Sequence, residues 1–206
     1  MSWAYLRSKY DAVAAKYQSR FLDELDDKPR DRELLESFAS VVEDPVAEIG
    51  CGPGQIGAFV RDRRSGRVIG VDLSPEMAML ASTRLDAALV ADMRWLPFAT
   101  DSLGGLLAFY SIIHVRRTEL ASVVREFHRV LRPGGRVLMS AHEGREEVEL
   151  DTFLDERLPF AATLFELDEI VDASRAAGLE VAVAERRAPY AHESSTVRLY
   201  VEAVKQ

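Results

Sequence analysis

The sequence predicts an α/β fold in which a mostly parallel, doubly wound sheet carries helices on both faces. The first observation is that strand-like and helix-like segments alternate between residues 46 and 140. The second is that the strand-like segments are continuous apolar runs, which is typical of strands covered on both faces. Strands that alternate with helices are joined by right-handed crossovers and pair in parallel. The third is a glycine-rich turn at Gly50–Gly57, directly after the first strand, where such sheets bind ligands.

Five strands and three helices make up this alternating part. The predicted strands are Val46–Ile49, Arg67–Val71, Ala88–Ala91, Leu106–Tyr110 and Arg136–Ser140. The predicted helices are Gln55–Arg63, Pro75–Arg84 and about Thr118–Leu131. Ser74 is predicted to cap the second helix, because serine is a preferred N-cap and Pro75 occupies the first helical position, where proline is tolerated.

Residues 1–42 are predicted to form a helical cap. Apolar and aromatic side chains recur at intervals of three and four, which predicts an amphipathic helix from Ser2 to about Lys28. Asp31 is predicted to cap a second helix over Arg32–Val41. The aromatic side chains of the first helix suit either a stripe that faces the core or a lid over a pocket.

The C-terminal third departs from the alternation. Residues 141–165 are predicted to be a variable insertion on the substrate side, and the acidic segment His142–Asp151 predicts a loop or a solvated helix. A helix over Glu166–Ala177 follows. Leu179–Arg187 and Thr196–Val204 predict two strands, which should pair antiparallel because their connection is too short for a crossover helix.

The composition restricts the classes of function. The chain has 206 residues, of which 48% are hydrophobic, and no linker or repeat is recognisable, so residues 1–206 are predicted to form one domain. A net charge of −8 argues against a nucleic-acid partner, since neutralising phosphates needs concentrated Lys and Arg. The single cysteine, Cys51, is consistent with a reducing compartment. With no secretory signal and no apolar run long enough to span a bilayer, the sequence predicts a soluble, cytoplasmic protein without a membrane partner.

Carboxylates end three neighbouring strands of the predicted sheet, at the edge where such sheets bind ligands. Asp72 is placed to accept hydrogen bonds from both hydroxyls of a ribose, or else to cap the helix that follows. Asp92 is placed to accept from an exocyclic amine such as that of adenine, with Met93 against the ring, or else to lie solvated in a loop. Glu48 is expected to anchor the glycine loop or to meet a ligand ammonium group. Cys51 has no basic neighbour in sequence and is expected to pack in the loop.

Five short segments follow one another over Val46–Ser140, a little under half of the chain. They are Glu48–Gly54 (EIGCGPG), Val71–Met77 (VDLSPEM), Ala91–Met93 (ADM), Leu96–Phe98 (LPF) and Glu126–Gly135 (EFHRVLRPGG). This ordered set resembles the class I S-adenosylmethionine-dependent methyltransferases, in particular their small type 11 branch. Two positions depart from the family pattern: Pro53 replaces a commoner Thr, and Gly104 stands where an Asp often opens the fourth strand.

The resemblance implies a Rossmann-like, seven-stranded sheet of order 3-2-1-4-5-7-6 with an antiparallel last strand. It also implies S-adenosylmethionine as the cofactor, with the methionine moiety against the Gly50–Gly54 loop. Leu73 and Met77 would flank the adenine, and Phe109 and Tyr110 would line the sulfonium side. The candidate cofactor-binding residues are Tyr17, Glu48, Gly50, Cys51, Gly52, Gly54, Asp72, Leu73, Met77, Asp92, Met93, Phe109 and Tyr110.

The activity that the resemblance implies is in-line methyl transfer to a small-molecule acceptor, for which the protein mainly aligns the reactants and excludes water. His114, just past the fourth strand, is the candidate general base, and the alternative is a structural histidine at a strand–helix junction. Two other functions stay open. Gly52–Gly57 satisfies G-x-G-x-x-G, so an NAD(P)-dependent oxidoreductase is one, and a non-catalytic S-adenosylmethionine-binding protein is the other. No metal-binding motif is recognisable in the sequence.

Overall fold

The computed structural model describes residues 3–154, 156 and 160–206. The strands are β1 (Val46–Ile49), β2 (Val68–Asp72), β3 (Ala87–Val90), β4 (Leu103–Ala108), β5 (Leu131–His142), β6 (Glu147–Leu150), β7 (Phe160–Thr163), β8 (Leu179–Arg187) and β9 (Arg198–Lys205). The α-helices are α1 (Trp3–Phe21), α2 (Pro29–Val41), α3 (Gln55–Arg61), α4 (Pro75–Ala81), α5 (Leu120–Val130) and α6 (Leu167–Ala176). Two short 3₁₀ helices, Ile112–His114 and Arg117–Glu119, connect β4 to α5.

Seven of these strands form one central sheet, in the order β3-β2-β1-β4-β5-β9-β8. β1 lies between β2 and β4 and is parallel to both, with Val46 opposite Val68 on one side and Gly105 on the other. β9 is antiparallel to both of its neighbours, β5 and β8. The predicted order 3-2-1-4-5-7-6 is confirmed, because β6 and β7 precede the last two strands and only change their numbers.

The segment after β5 differs from the prediction. A loop or solvated helix is expected for His142–Asp151, but Glu147–Leu150 form β6, which pairs antiparallel with β7 in a separate two-stranded sheet. Charged and apolar residues alternate along β6, which is the period of a strand with one covered face. This two-residue period, and not the acidity of the segment, determines the structure. Residues 155 and 157–159 of the predicted insertion, and residues 1–2 of the predicted cap, lie outside the described residues.

Asp31 does not cap α2, so that prediction is wrong. The helix begins at Pro29, Lys28 occupies the N-cap position, and no side chain caps the helix. Proline is pre-organised for the first helical position, and Pro29 therefore starts the helix before Asp31 is reached. Asp31 lies inside the first turn and its side chain is fully buried.

Gly104 departs from the family pattern for a packing reason. At the start of β4 the strand runs directly against the backbone of residues 43–44, and a Cβ at Gly104 would collide with the carbonyl oxygen of Glu43. The neighbouring Gly105 meets the side chain of Val42 in the same way. An aspartate at position 104 would need the connection between α2 and β1 to move away.

Two apolar clusters pack against the sheet. One includes Phe127 and Ile170 from α5 and α6, and the other includes Leu35 and Phe38 from α2 together with Tyr200 from β9. All five side chains are fully buried. None of the helices in the described part of the chain has the long apolar run that a bilayer crossing requires.

Candidate functional site

A cavity lies at the carboxyl ends of β1, β2 and β4, beneath helix α1. It encloses about 650 Å³ of unfilled space, including its open mouth. Its lining contains nine of the residues predicted from sequence: Tyr17, Gly50, Gly52, Asp72, Leu73, Met93, Phe109, Tyr110 and His114. Sheets of this topology bind ligands at this edge, so the fold brings these residues together where a ligand is expected.

The glycine loop after β1 is built around the carboxylate of Asp72. Gly50, Gly52 and Gly54 all have positive φ values, of 69°, 52° and 85°. The N–H of Gly52 donates to Oδ2 of Asp72 over 2.8 Å, and the N–H of Ser74 donates to Oδ1 over the same distance. Asp72 therefore fixes the loop on one side and begins the turn into α4 on the other. Each carboxylate oxygen still has acceptor capacity for a ligand hydroxyl.

Ser74 caps α4 as predicted, and it also connects this helix to α1. Its Oγ accepts the N–H of Met77 over 3.1 Å, and Pro75 occupies the first helical position. The same hydroxyl donates to Oδ1 of Asp11 on α1 over 2.6 Å. The helix that covers the cavity is thus tied to the strand end that carries Asp72.

Desolvation raises the pKa of Asp72 to about 6, against the opposing effect of its hydrogen bonds from Ser74 and Gly52. The sequence predicts that ribose hydroxyls donate to this carboxylate, so we expect ligand affinity to be full above this pKa, where the group is ionised, and to fall as the pH drops through it. We expect the affinity for S-adenosylmethionine to be about tenfold lower at pH 5 than at pH 7.5. Calorimetry across this range tests the prediction, with Asp72→Asn as the control that should remove the pH dependence.

The other two strand-end carboxylates do not line the cavity. Glu48 is buried, and its Oε2 accepts the N–H of Gly57 over 2.8 Å, which anchors the glycine loop to α3. Asp92 is paired with Arg94, whose Nη2 lies 2.7 Å from Oδ2 of Asp92. Arg94 also bonds to Glu119 and lies over the ring of Trp3. The guanidinium of Arg94 therefore already pairs with the carboxylate of Asp92. The following residue, Met93, lines the cavity.

Three more of the candidate residues do not line the cavity. Cys51 is buried next to Gly70, and burial raises the pKa of its thiol. Met77 is fully buried in α4, and Gly54 occupies the N-cap position of α3.

Aromatic side chains and a histidine also line the cavity. The hydroxyl of Tyr10 and Nε2 of His114 lie 2.8 Å apart, and their rings meet edge to face. Tyr17 and Tyr10 both lie against Phe153, with ring centroids 6.2 and 6.0 Å away. Burial lowers the pKa of His114 to about 4, so its imidazole is neutral at physiological pH. Tyr110 lies beside this group at the end of β4 with a φ of 53°.

Several lining residues were not among the sequence candidates. Trp3 and Leu6 come from α1, and together with Tyr10, which the resemblance places in a segment over the cofactor, they follow helical intervals of three and four that place them on one face. This stripe is visible in the sequence, but core contacts and ligand contacts produce the same spacing. Ser111 also lines the cavity, and its Oγ donates to the carbonyl of Ile49 over 2.6 Å. No pattern in the sequence indicates that contact.

A glycine loop and a strand-end carboxylate beside a cavity at the carboxyl ends of the strands are the features with which α/β domains bind nucleoside-containing cofactors. A family model described as a methyltransferase domain matches residues 46–135. This match and the fold support a class I S-adenosylmethionine-dependent methyltransferase domain over these residues. Methyltransferases of this class use S-adenosylmethionine, and the residues present fit it: Gly50 and Gly52 line the cavity without a side chain, and Asp72 offers a carboxylate.

Known proteins resemble the chain in sequence and in structure. An O-methyltransferase of Aspergillus nomiae is 28% identical over 68% of this chain and 60% of its own length. A malonyl-[acyl-carrier protein] O-methyltransferase of Hamiltonella defensa is 34% identical over 52% of this chain and 41% of its own. The crystal structure of a Burkholderia thailandensis 1,6-didemethyltoxoflavin-N1-methyltransferase shares the fold, with a TM-score of 0.73 and 21% identity over 98% of this chain and 88% of that one. The chain thus spans about half the length of the two sequence relatives.

Proposed function

We propose that this protein transfers a methyl group from S-adenosylmethionine to a small-molecule acceptor. The observation that carries the proposal is one cavity whose lining combines Asp72, Gly50 and Gly52 with the Tyr10–His114 pair. A ligand that joins a nucleoside to an amino acid fits a carboxylate beside two glycines that leave room for its amino-acid part. The cofactor supplies an electrophilic methyl group when bound, and the chain's own residues hold the reactants in line and keep water out.

The covering helix α1 and the net charge of −8 favour a small acceptor over a nucleic acid. The names of the relatives support the same class: the Burkholderia enzyme was crystallised with its small-molecule substrate, and the Aspergillus protein is an O-methyltransferase. Among the described residues, no group of three or more acidic, histidine or cysteine side chains is arranged to hold a metal ion.

Calorimetry with S-adenosylmethionine, S-adenosylhomocysteine and NAD separates the candidate functions. We expect binding of the first two in the micromolar range, and no heat with NAD. Formation of S-adenosylhomocysteine in the presence of a panel of hydroxyl, amine and acidic-carbon acceptors then tests for catalysis. NAD binding in place of S-adenosylmethionine would instead favour the oxidoreductase. Cofactor binding without turnover on any acceptor would favour a non-catalytic binding protein.

His114 is proposed to be the general base, because its neutral imidazole lines the cavity and lies 2.8 Å from the hydroxyl of Tyr10. His114→Ala should lower turnover by about 10²–10⁴-fold, the contribution of a positioned base. The affinity for S-adenosylhomocysteine should change less than about threefold. A pH profile of kcat that is flat between pH 6 and 8 is also expected, since the pKa of His114 lies well below this range. Equal losses of affinity and turnover would mean that His114 is a structural or cofactor-contact residue.

A further inference from the structure

Asp31 is a fully buried carboxylate outside the cavity. Its Oδ1 accepts a hydrogen bond from the hydroxyl of Tyr200 on β9 and a longer one, of 3.5 Å, from the hydroxyl of Tyr110. The two tyrosine hydroxyls are themselves 3.0 Å apart. The guanidinium of Arg187 on β8 is 3.5 Å from the other carboxylate oxygen. The Asp31 carboxylate on α2 thus contacts side chains from β8, from β9 and from the segment that follows β4.

Tyr110 is the member of this network that reaches the cavity. Its φ of 53° lies in the left-handed region, which is strained for a bulky residue and persists only where the surroundings impose it. Its N–H donates to Oγ of Ser140 over 2.8 Å, and the ring of His142 packs on its ring. The backbone, the ring and the hydroxyl of Tyr110 are therefore each held by a separate contact.

The burial of the Asp31 carboxylate is not explained by stability alone, since replacing buried charged groups by apolar ones is often neutral or stabilising. Arg187 alone does not supply it, because the closer partner of Arg187 is Glu193, whose two oxygens lie 2.8 and 3.0 Å from the guanidinium nitrogens. The hydroxyl of Tyr200 is the nearest group to Asp31, and it connects Asp31 to Tyr110. The network runs toward the cavity.

We propose that Asp31 is a positioning residue that acts through the Tyr200 hydroxyl to hold the ring of Tyr110 against the cofactor. The inference rests on the proposed function, because Tyr110 lines the same cavity as Asp72 and the glycine loop. An unanchored ring at position 110 would turn into the cavity or away from it, and the cofactor would have to order it on binding. Anchoring the hydroxyl removes that freedom before the cofactor arrives.

A double-mutant cycle on S-adenosylhomocysteine affinity tests this inference. Tyr110→Phe keeps the ring and frees it from the network, and Tyr200→Phe removes the connection to Asp31. Each change should weaken binding by about three- to tenfold, and the double variant should be no weaker than the single variants, because both remove the same anchor. The KM for S-adenosylmethionine should rise by the same factor, with kcat within about twofold.

Glu193→Gln is the matched control. It removes the closer ion pair of Arg187 and should lower the melting temperature, but it leaves the chain of hydroxyls from Asp31 to Tyr110 intact. Its affinity for S-adenosylhomocysteine should stay within about twofold of the parent. Asp31→Asn is the direct variant, and Tyr200→Phe keeps the inference testable if that variant does not fold.

Three results would overturn the inference. Unchanged affinity in both tyrosine variants would show that the hydroxyls do not position the ring, and additive losses would show two independent effects. A loss in Glu193→Gln equal to that in Tyr200→Phe would show that general stability is being measured. If the unmodified protein did not bind S-adenosylhomocysteine, the proposed function would fail and this inference with it.

Discussion

Asp72→Ala should weaken S-adenosylmethionine binding by about 1–3 kcal/mol, which corresponds to roughly 5- to 150-fold. The carboxylate is the proposed acceptor for the ribose hydroxyls. It also accepts the N–H groups of Gly52 and Ser74, so its removal releases the glycine loop together with the ligand contact. Because these effects act on the same ligand, this is among the largest losses of affinity that we expect from one side chain.

Calorimetry measures this loss directly, and Asp92→Ala is the informative comparison. Asp92 pairs with Arg94 and does not line the cavity, so its replacement should cost clearly less affinity than that of Asp72. A loss at Asp92 as large as at Asp72 would support the adenine contact suggested by the sequence. Unchanged binding in Asp72→Ala would refute the ribose assignment.

Gly50→Ala should destabilise the fold and abolish cofactor binding. An alanine at a φ of 69° costs about 1–2 kcal/mol, because its Cβ approaches the following carbonyl. That Cβ would also collide with the Cβ of Ser111, and overpacking of this kind costs about 1–3 kcal/mol. The free energy of unfolding should fall by about 2–5 kcal/mol, the sum of both effects, as measured by urea denaturation.

Gly134→Ala separates the two contributions. Gly134 also has a positive φ, of 79°, but no atom lies within 4 Å of the position that its Cβ would take. This variant should lose only the backbone contribution and should bind S-adenosylhomocysteine like the parent. If both variants lost the same stability and kept full affinity, the contact between the loop and Ser111 would not matter for the site.

The central sheet, and the edge of it that carries the site, could be predicted from the sequence because both depend on local sequence patterns. Continuous apolar strands, the cap at Ser74 and the glycines of the loop each depend on neighbours within a few residues. The position of Asp72 is also a local feature, because the apolar strand before it and the helix cap after it place it at the strand end. These features needed no knowledge of what packs against them.

Features that depend on distant partners were missed. Asp31 has the residue type and position of a helix cap, and only the arrival of Tyr200 and Arg187 from the far end of the chain explains its burial. Asp92 follows a strand as expected, but no spacing rule shows that Arg94 takes its carboxylate. The β6 strand was obscured because its two-residue alternation is short and acidic.

Helix α1 is both a wall of the cavity and a separate element that Tyr10 and Asp11 tie to the rest of the protein. A ligand that contacts α1 gains binding free energy from that contact. By thermodynamic linkage, the same free energy stabilises α1 against fraying when the ligand is bound. The affinity for the cofactor and the protection of the α1 amides from hydrogen exchange therefore report on linked equilibria. A change that loosens the helix will lower the affinity even where it touches no ligand atom.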